Sequence, residues 1–154
     1  MLFIRPALSS EADVLAVLAW RAKALWGYPL AVMEQWRAEL TPSEGSITSS
    51  PTFVAEIDGE IAGWCQIAMH AAPIELEHMW VDPDFTHRGV GRTLITRVCE
   101  HLRSHNVRLL AIDADPNAEP FYLRCGAVRV GEIAAPIPEN PNRVRPQLEL
   151  NVFI

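Results

Sequence analysis

The sequence predicts an α/β domain, with a mixed, mostly antiparallel central sheet of six to seven strands and about four helices on both faces. Three observations lead there. Strand-length apolar runs and helix-period segments interleave along the chain. Asp58-Gly59 stands between two apolar runs, the signature of an antiparallel hairpin. The second half alternates strand, helix and strand, and such units need parallel neighbours.

The elements follow in order. "LFIRPA" reads as a short first strand. Ser10 offers an N-cap with Asp13 three residues on, and Val14, Leu18, Ala22 and Leu25 then fall at helical spacing, so residues 11–25 are predicted helical. "WGYP" breaks that helix, and Leu30, Met33, Trp36 and Leu40 mark a second one with Pro29 near its first turn. "TPSEGSITSSP" reads as a loop. "TFVAEIDGEIAGWCQIAM" is the hairpin, and "IELEHMWVD" is the next strand. Strict alternation there puts Leu76 and His78 on one face and Glu75, Glu77 and Met79 on the other. From Gly91, the positions Leu94, Ile95, Val98 and Leu102 share one helix face. "VRLLAID" is nearly all apolar, as a buried parallel strand is. Pro120 is tolerated only in a first turn, so a short helix starts near Ala118, and Gly126 ends it. "AVRVGEIA" is a strand, residues 135–146 are a proline-rich loop, and "QLELNVF" closes the sheet.

Length and composition narrow the function. The 154 residues fit one domain, 1–154, and 49% hydrophobic residues supply an ordinary core. There is no apolar run of about 18 residues to span a membrane, and "MLFIRPALSS" does not have the pattern of a secretory signal. Cys65, Cys99 and Cys125 are odd in number and widely spaced, which suits a reducing cytoplasm and gives no metal-binding pair. A net charge of −6 argues against duplex nucleic acid and tolerates a cationic acceptor. Of the 13 basic residues only Lys23 is lysine, a hint of a GC-rich bacterial genome.

The stretch "VDPDFTHRGVGRTLITRV" leaves a strand, passes two glycines flanked by arginines, and enters a helix. Gly89 and Gly91 alone mark no more than a tight turn. A dinucleotide fingerprint would need glycine where Leu94 stands, and the Gly-Lys-Ser/Thr of a P-loop is absent. The first turn of a helix nevertheless offers unpaired N–H groups and a positive dipole end, and glycine lets a phosphate approach them. Arg88 and Arg92 add charge, so the stretch reads as a pyrophosphate cradle.

With its downstream partner the stretch resembles the GNAT superfamily of acyl-coenzyme A-dependent N-acyltransferases. The resemblance covers nearly the whole chain. "VDPDFTHRGVG" matches the family's Gln/Arg-x-x-Gly-x-Gly/Ala motif at Gly89 and Gly91, with Thr86 where Gln or Arg is usual and His87 where Gly is common. "NAEPFYLRCGAVRVGE" matches its Asn…Phe-Tyr…Gly feature. "RAKALWGY" and "IPENPNRVRPQLEL" are similar to a bacterial subgroup whose substrate is unassigned.

The resemblance implies the GNAT fold, acetyl-CoA as co-substrate, no metal, and N-acetylation of a primary amine by direct attack in a ternary complex. It places the cradle on the backbone of Arg88, Gly89, Val90, Gly91, Arg92 and Thr93. It makes Met79, Trp80 and Val81 a strand edge that splays at a bulge and pairs with pantetheine, a Met79 or Trp80 N–H polarising the thioester oxygen. Asn117 would contact the pantetheine arm, and Tyr122 would protonate the leaving thiolate, the plain alternative being a core aromatic. Dimers are common in the family.

Glu75 and Glu77 are the candidate general bases, two carboxylates on the strand that carries the acyl group; a solvated strand edge or a structural ion pair is the other reading. Alternation leaves His78 as a buried structural histidine. Trp26 and Tyr28 break the first two helices where an aromatic wall can hold an amine, or where a lid can cover the core. A small amine, an amino acid, an antibiotic and a protein amine all fit as acceptor. Two competing readings are a non-catalytic acyl-CoA sensor on the same fold and an interaction domain in which Gly89 and Gly91 merely turn the chain.

Overall fold

The computed structural model describes residues 1–153. Seven strands form one sheet: β1 (Leu2–Pro6), β2 (Thr52–Ile57), β3 (Glu60–Ala68), β4 (Glu75–Val81), β5 (Leu109–Asp113), β6 (Val128–Ala134) and β7 (Val144–Asn151). Their spatial order is β1-β2-β3-β4-β5-β7-β6. Every neighbouring pair is antiparallel except β4 and β5. The helices are α1 (Ala12–Ala24), α2 (Leu30–Leu40), α3 (Glu44–Ser49), α4 (Val90–Ser104) and α5 (Glu119–Arg124). The α/β class, the mixed sheet and the hairpin at Asp58-Gly59 are as predicted.

The sheet separates two cores. On one face Cys65, Ile67, Leu76, Leu110, Ile112 and Leu148 pack against Leu94, Val98 and Leu102 of α4. On the other, Val54 and Trp64 pack against Leu15, Leu18, Met33 and Leu40 of α1 and α2. Trp64 is fully buried and its indole N–H donates to the Leu15 carbonyl at 3.0 Å, so this large side chain brings no unpaired polar atom inside.

Several local expectations are corrected. Ser10 does not cap α1: it lies in a 3-10 turn, and α1 begins at Ala12. The Glu11 carboxylate turns back to the Leu8 N–H at 2.8 Å and is clamped by Arg5 at 2.6 Å. The segment read as a loop after α2 contains α3, started by a reciprocal pair in which Ser43 and Ser46 each accept from the other's N–H, at 3.0 and 3.1 Å. Ile47 anchors it to the second core. β7 begins within the expected loop because the Pro146 carbonyl accepts the Ala114 N–H at 3.0 Å, which carries the ladder past a residue with no N–H of its own. β5 is not buried on both faces. Leu109 is exposed, and the strand meets β4 in parallel at a single register, Glu75 to Ala111.

The largest correction concerns β4. Leu76 pairs with Ile67 and His78 with Gln66, so Glu77 is an extra residue, a bulge. The bulge reverses the faces beyond it. Leu76 belongs to the α4-side core, whereas His78 packs against Trp64 of the opposite core and Met79 packs on the α4 side. Leu76 and His78 therefore do not share a face, and Met79 does not share one with Glu75.

Candidate active site

Beyond Glu75, β4 and β5 diverge, and the β5-facing edge of β4 has no strand partner. The opening is one cleft of about 950 Å³. It runs from the start of α4, past the free edge of β4, to the ends of α1 and α2.

At one end, Gly89 caps α4 with φ 78. That left-handed conformation costs a residue with a Cβ roughly 1–2 kcal/mol, so glycine is needed there for the backbone itself. A Cβ on Gly89 would meet nothing within 4 Å, so the side facing the cleft is open. Gly91 serves packing instead: a Cβ there would lie 3.0 Å from the Phe121 ring. The N–H groups of Val90, Gly91 and Arg92 have no acceptor among the described residues. Thr93 departs from the expectation, because its N–H bonds the Gly89 carbonyl at 3.0 Å and its hydroxyl does so at 2.7 Å. Arg88 also departs. It sits between two left-handed residues, His87 at φ 61 and Gly89, and its guanidinium lies 5.4 Å over the Phe85 ring. Arg92 is the cation that lines the cleft here, joined by Arg124.

In the middle, Met79, Trp80, Val81, Asn117 and Tyr122 line the cleft. Tyr122 is 7% exposed. Its hydroxyl has no hydrogen-bond partner among the described residues, yet no fully buried side-chain polar atom is left unpaired, so the hydroxyl reaches the cleft. Burial pushes the phenol's pKa well up, which keeps its proton in place.

The far end is lined by the candidates Trp26, Glu75 and Glu77, together with Lys23, Trp36, Glu39, His78, Asp113, Arg143 and Arg145. Burial raises the Glu75 pKa above its ordinary 4.5, reinforced by the charges of Glu77 and Asp113 and opposed by Arg145. Tyr28 does not line the cleft; its hydroxyl donates to Asp115 at 2.8 Å, and its ring packs edge-on against Trp36.

Asp115 is a hub that sequence reading missed. Lys23 meets it at 2.5 Å, Arg143 at 3.4 Å, and the Asn117 backbone N–H and amide at 2.8 and 2.9 Å. Burial pushes the Asp115 carboxyl up, but Lys23, the Asn117 N–H and Tyr28 outweigh it and hold the pKa below 3.8. Lys23 stands 4.7 Å from the Trp36 ring centroid and 5.3 Å from that of Tyr28, so the protein's own ammonium occupies the aromatic wall. Burial lowers the Lys23 pKa despite Asp115.

Residues 16–127 match the profile of the Acetyltransferase (GNAT) family. The chain belongs to that family. No curated protein matches the chain. Among solved structures, a GCN5-related N-acetyltransferase from Rhodopseudomonas palustris is similar with a TM-score of 0.80 at 20% identity, over 97% of this chain and 94% of that one. The PaiA N-acetyltransferase of Thermoplasma acidophilum, solved with coenzyme A, gives 0.78 at 16% identity, over 98% and 99%. A spermidine N-acetyltransferase chimera from Vibrio cholerae and hSSAT gives 0.69 at 17% identity, over 99% and 96%. The seven-stranded mixed sheet is thus the GNAT fold. Among the described residues, no group of three or more His, Cys, Asp or Glu is placed to hold a metal ion, and no helix is long and apolar enough to cross a membrane.

Gly89→Val in this GNAT protein is expected to weaken acetyl-CoA binding by about tenfold or more. Forcing a branched residue through φ 78 rearranges the free N–H groups, and roughly 1.4 kcal/mol is a factor of ten. Calorimetry with Arg88→Ala alongside is the check. The arginine variant, whose side chain lies over Phe85, should lose less than the glycine variant.

Proposed function

We propose that the protein transfers acetyl from acetyl-CoA to a primary amine by direct attack, with both substrates bound at once. One observation carries this reading. The free helix start of α4, the unpaired edge of β4, the Tyr122 hydroxyl and the Glu75–Glu77 pair all open on a single cleft. The neighbour solved with coenzyme A and the neighbour named for spermidine support the donor and the kind of acceptor.

The residues fit coenzyme A. The Val90, Gly91 and Arg92 N–H groups and the Arg92 guanidinium suit a pyrophosphate. The free edge of β4 from Glu77 to Val81 suits the amides of pantetheine, which would add like a strand. A Met79 or Trp80 N–H on that edge would polarise the thioester oxygen, and Asn117 flanks the arm.

In the reaction the ammonium first gives one proton to Glu75 or Glu77. Its nitrogen then bonds the thioester carbon, and the carbon–sulfur bond breaks. The sulfur leaves as a thiol carrying the Tyr122 proton, and the second proton shed by the nitrogen restores the phenol. Glu75 suits the first step because its raised pKa lies nearer that of an amine than an ordinary carboxylate does. The test is free-thiol release from acetyl-CoA across a panel of primary amines. Binding of acetyl-CoA without release for any amine would favour a sensor instead.

Glu75→Gln should lower turnover by about tenfold. That is less than the ~10²–10⁴ of a uniquely placed base, because Glu77 stands two residues away on the same cleft. Wild-type activity should rise with pH as Glu75 ionises, with this acid limb above the ordinary 4.5. The limb should move in the variant; an unchanged pH–rate profile would remove Glu75 from the role.

A further inference from the structure

None of these steps uses His78, yet it lines the same cleft just past the Glu77 bulge. It is 8% exposed and packs against Trp64 with ring centroids 4.6 Å apart and planes tilted by 36°. Its Nδ1 accepts a hydrogen bond from Trp80 Nε1 at 3.0 Å. An indole N–H can only donate, so Nδ1 is the bare nitrogen of a neutral imidazole and Nε2 carries the hydrogen. Burial holds the ring's pKa at about 4, which makes it a poor base at neutral pH. No acceptor for the Nε2–H exists among the described residues, and since no fully buried polar side-chain atom is unpaired there, Nε2 must touch the open cleft. His78, 8% exposed as a residue, thus presents a donor of fixed tautomer to the cleft, with no partner for it among the described residues.

We propose that His78 reads a neutral oxygen on the acceptor amine, a hydroxyl, ether or amide carbonyl, and that Trp80 is a positioning residue that fixes the donor tautomer. This rests on the reading that the cleft takes an amine. Charge decides that the oxygen is neutral. Lys23 and Arg143 are engaged by Asp115, and Arg145 by Asp113. Glu39, Glu75 and Glu77 line the cleft with no ion-pair partner among the described residues. These carboxylates draw an ammonium in and repel an acceptor carboxylate. A neutral oxygen meets no such repulsion, and it gives the oriented Nε2–H a fixed partner in place of solvent.

The test compares 2-methoxyethylamine with butylamine, which differ by one oxygen in place of a methylene, on the CoA-loaded protein with labelled histidine. The ether should bind about tenfold more tightly, the upper end of what one hydrogen bond contributes. It should also shift the His78 Nε2–H resonance, which butylamine should leave in place. His78→Phe keeps an aromatic ring on Trp64 and should equalise the two affinities without changing CoA affinity. Trp80→Phe should raise the Nδ1–H tautomer in the nitrogen spectrum and shrink the preference. Equal affinities in the wild type, a preference that survives His78→Phe, or a His78→Phe that weakens both amines equally would overturn the proposal. Because the preference is read from binding, absence of thiol release would count against the transfer reading alone.

Discussion

Tyr122→Phe should cost the protein about 10²–10⁴-fold in turnover, the usual value of a positioned acid, while leaving acetyl-CoA affinity nearly intact. The phenol is suited to the role by where the fold puts it. α5 is a six-residue helix that buries the ring in the α4-side core, edge-on to Phe121 at 5.3 Å. The hydroxyl reaches the cleft and bonds to nothing among the described residues. Its deletion therefore removes no ground-state hydrogen bond of the protein. Phenylalanine fills almost the same space, so the melting temperature should barely move. The interaction lost belongs to the transition state, in which the sulfur acquires charge. Steady-state thiol release, acetyl-CoA titration and a melt together make the check. Full turnover in the variant would return Tyr122 to the status of a core aromatic.

Asp115→Ala should destabilise the fold by roughly 3–5 kcal/mol, the usual cost of stripping one partner from a buried ion pair. Lys23 and Arg143 would stay inside with no carboxylate, their side chains 12% and 5% exposed. Tyr28 would lose the acceptor for its hydroxyl, and Asn117 two hydrogen bonds. The pH dependence has a definite sign. Burial already lowers the Lys23 pKa below 10.5, and Asp115 is the main influence raising it. Without Asp115 the folded protein holds fewer protons than the unfolded chain, so the variant should gain stability as pH rises toward 10.5. Denaturant melts at several alkaline pH values measure this. A variant as stable as the wild type would mean that the hub contributes little.

The fold was legible where local signals agree with the tertiary outcome. Asp58-Gly59 fixes a hairpin, and Leu94, Ile95, Val98 and Leu102 fix the buried face of α4. The start of α4 and the Glu75–Glu77 pair were legible too, because a helix terminus and a strand carboxylate are local features. The faces of β4 were not. The run Glu-Leu-Glu-His-Met-Trp-Val does not announce an extra residue at Glu77, and only pairing with β3 reveals that His78 crosses to the Trp64 side. The Asp115 hub was hidden for a different reason. Lys23 and Asp115 are 92 residues apart, and Arg143 lies in a stretch read as a plain loop, so only the folded chain brings them together. Arg88 beside Gly89 looked like a phosphate ligand, but the left-handed turn at His87 and Gly89 leaves it over Phe85.

The most direct test of transfer in one ternary complex is the initial-velocity pattern of thiol release, with acetyl-CoA varied at several fixed amine concentrations. In the proposed mechanism one cleft takes both coenzyme A and the amine, and no acetylated enzyme is needed. Double-reciprocal lines that intersect are therefore predicted. Parallel lines, the mark of an acetyl group parked on the protein before the amine binds, or the absence of any amine-dependent release, would contradict the account.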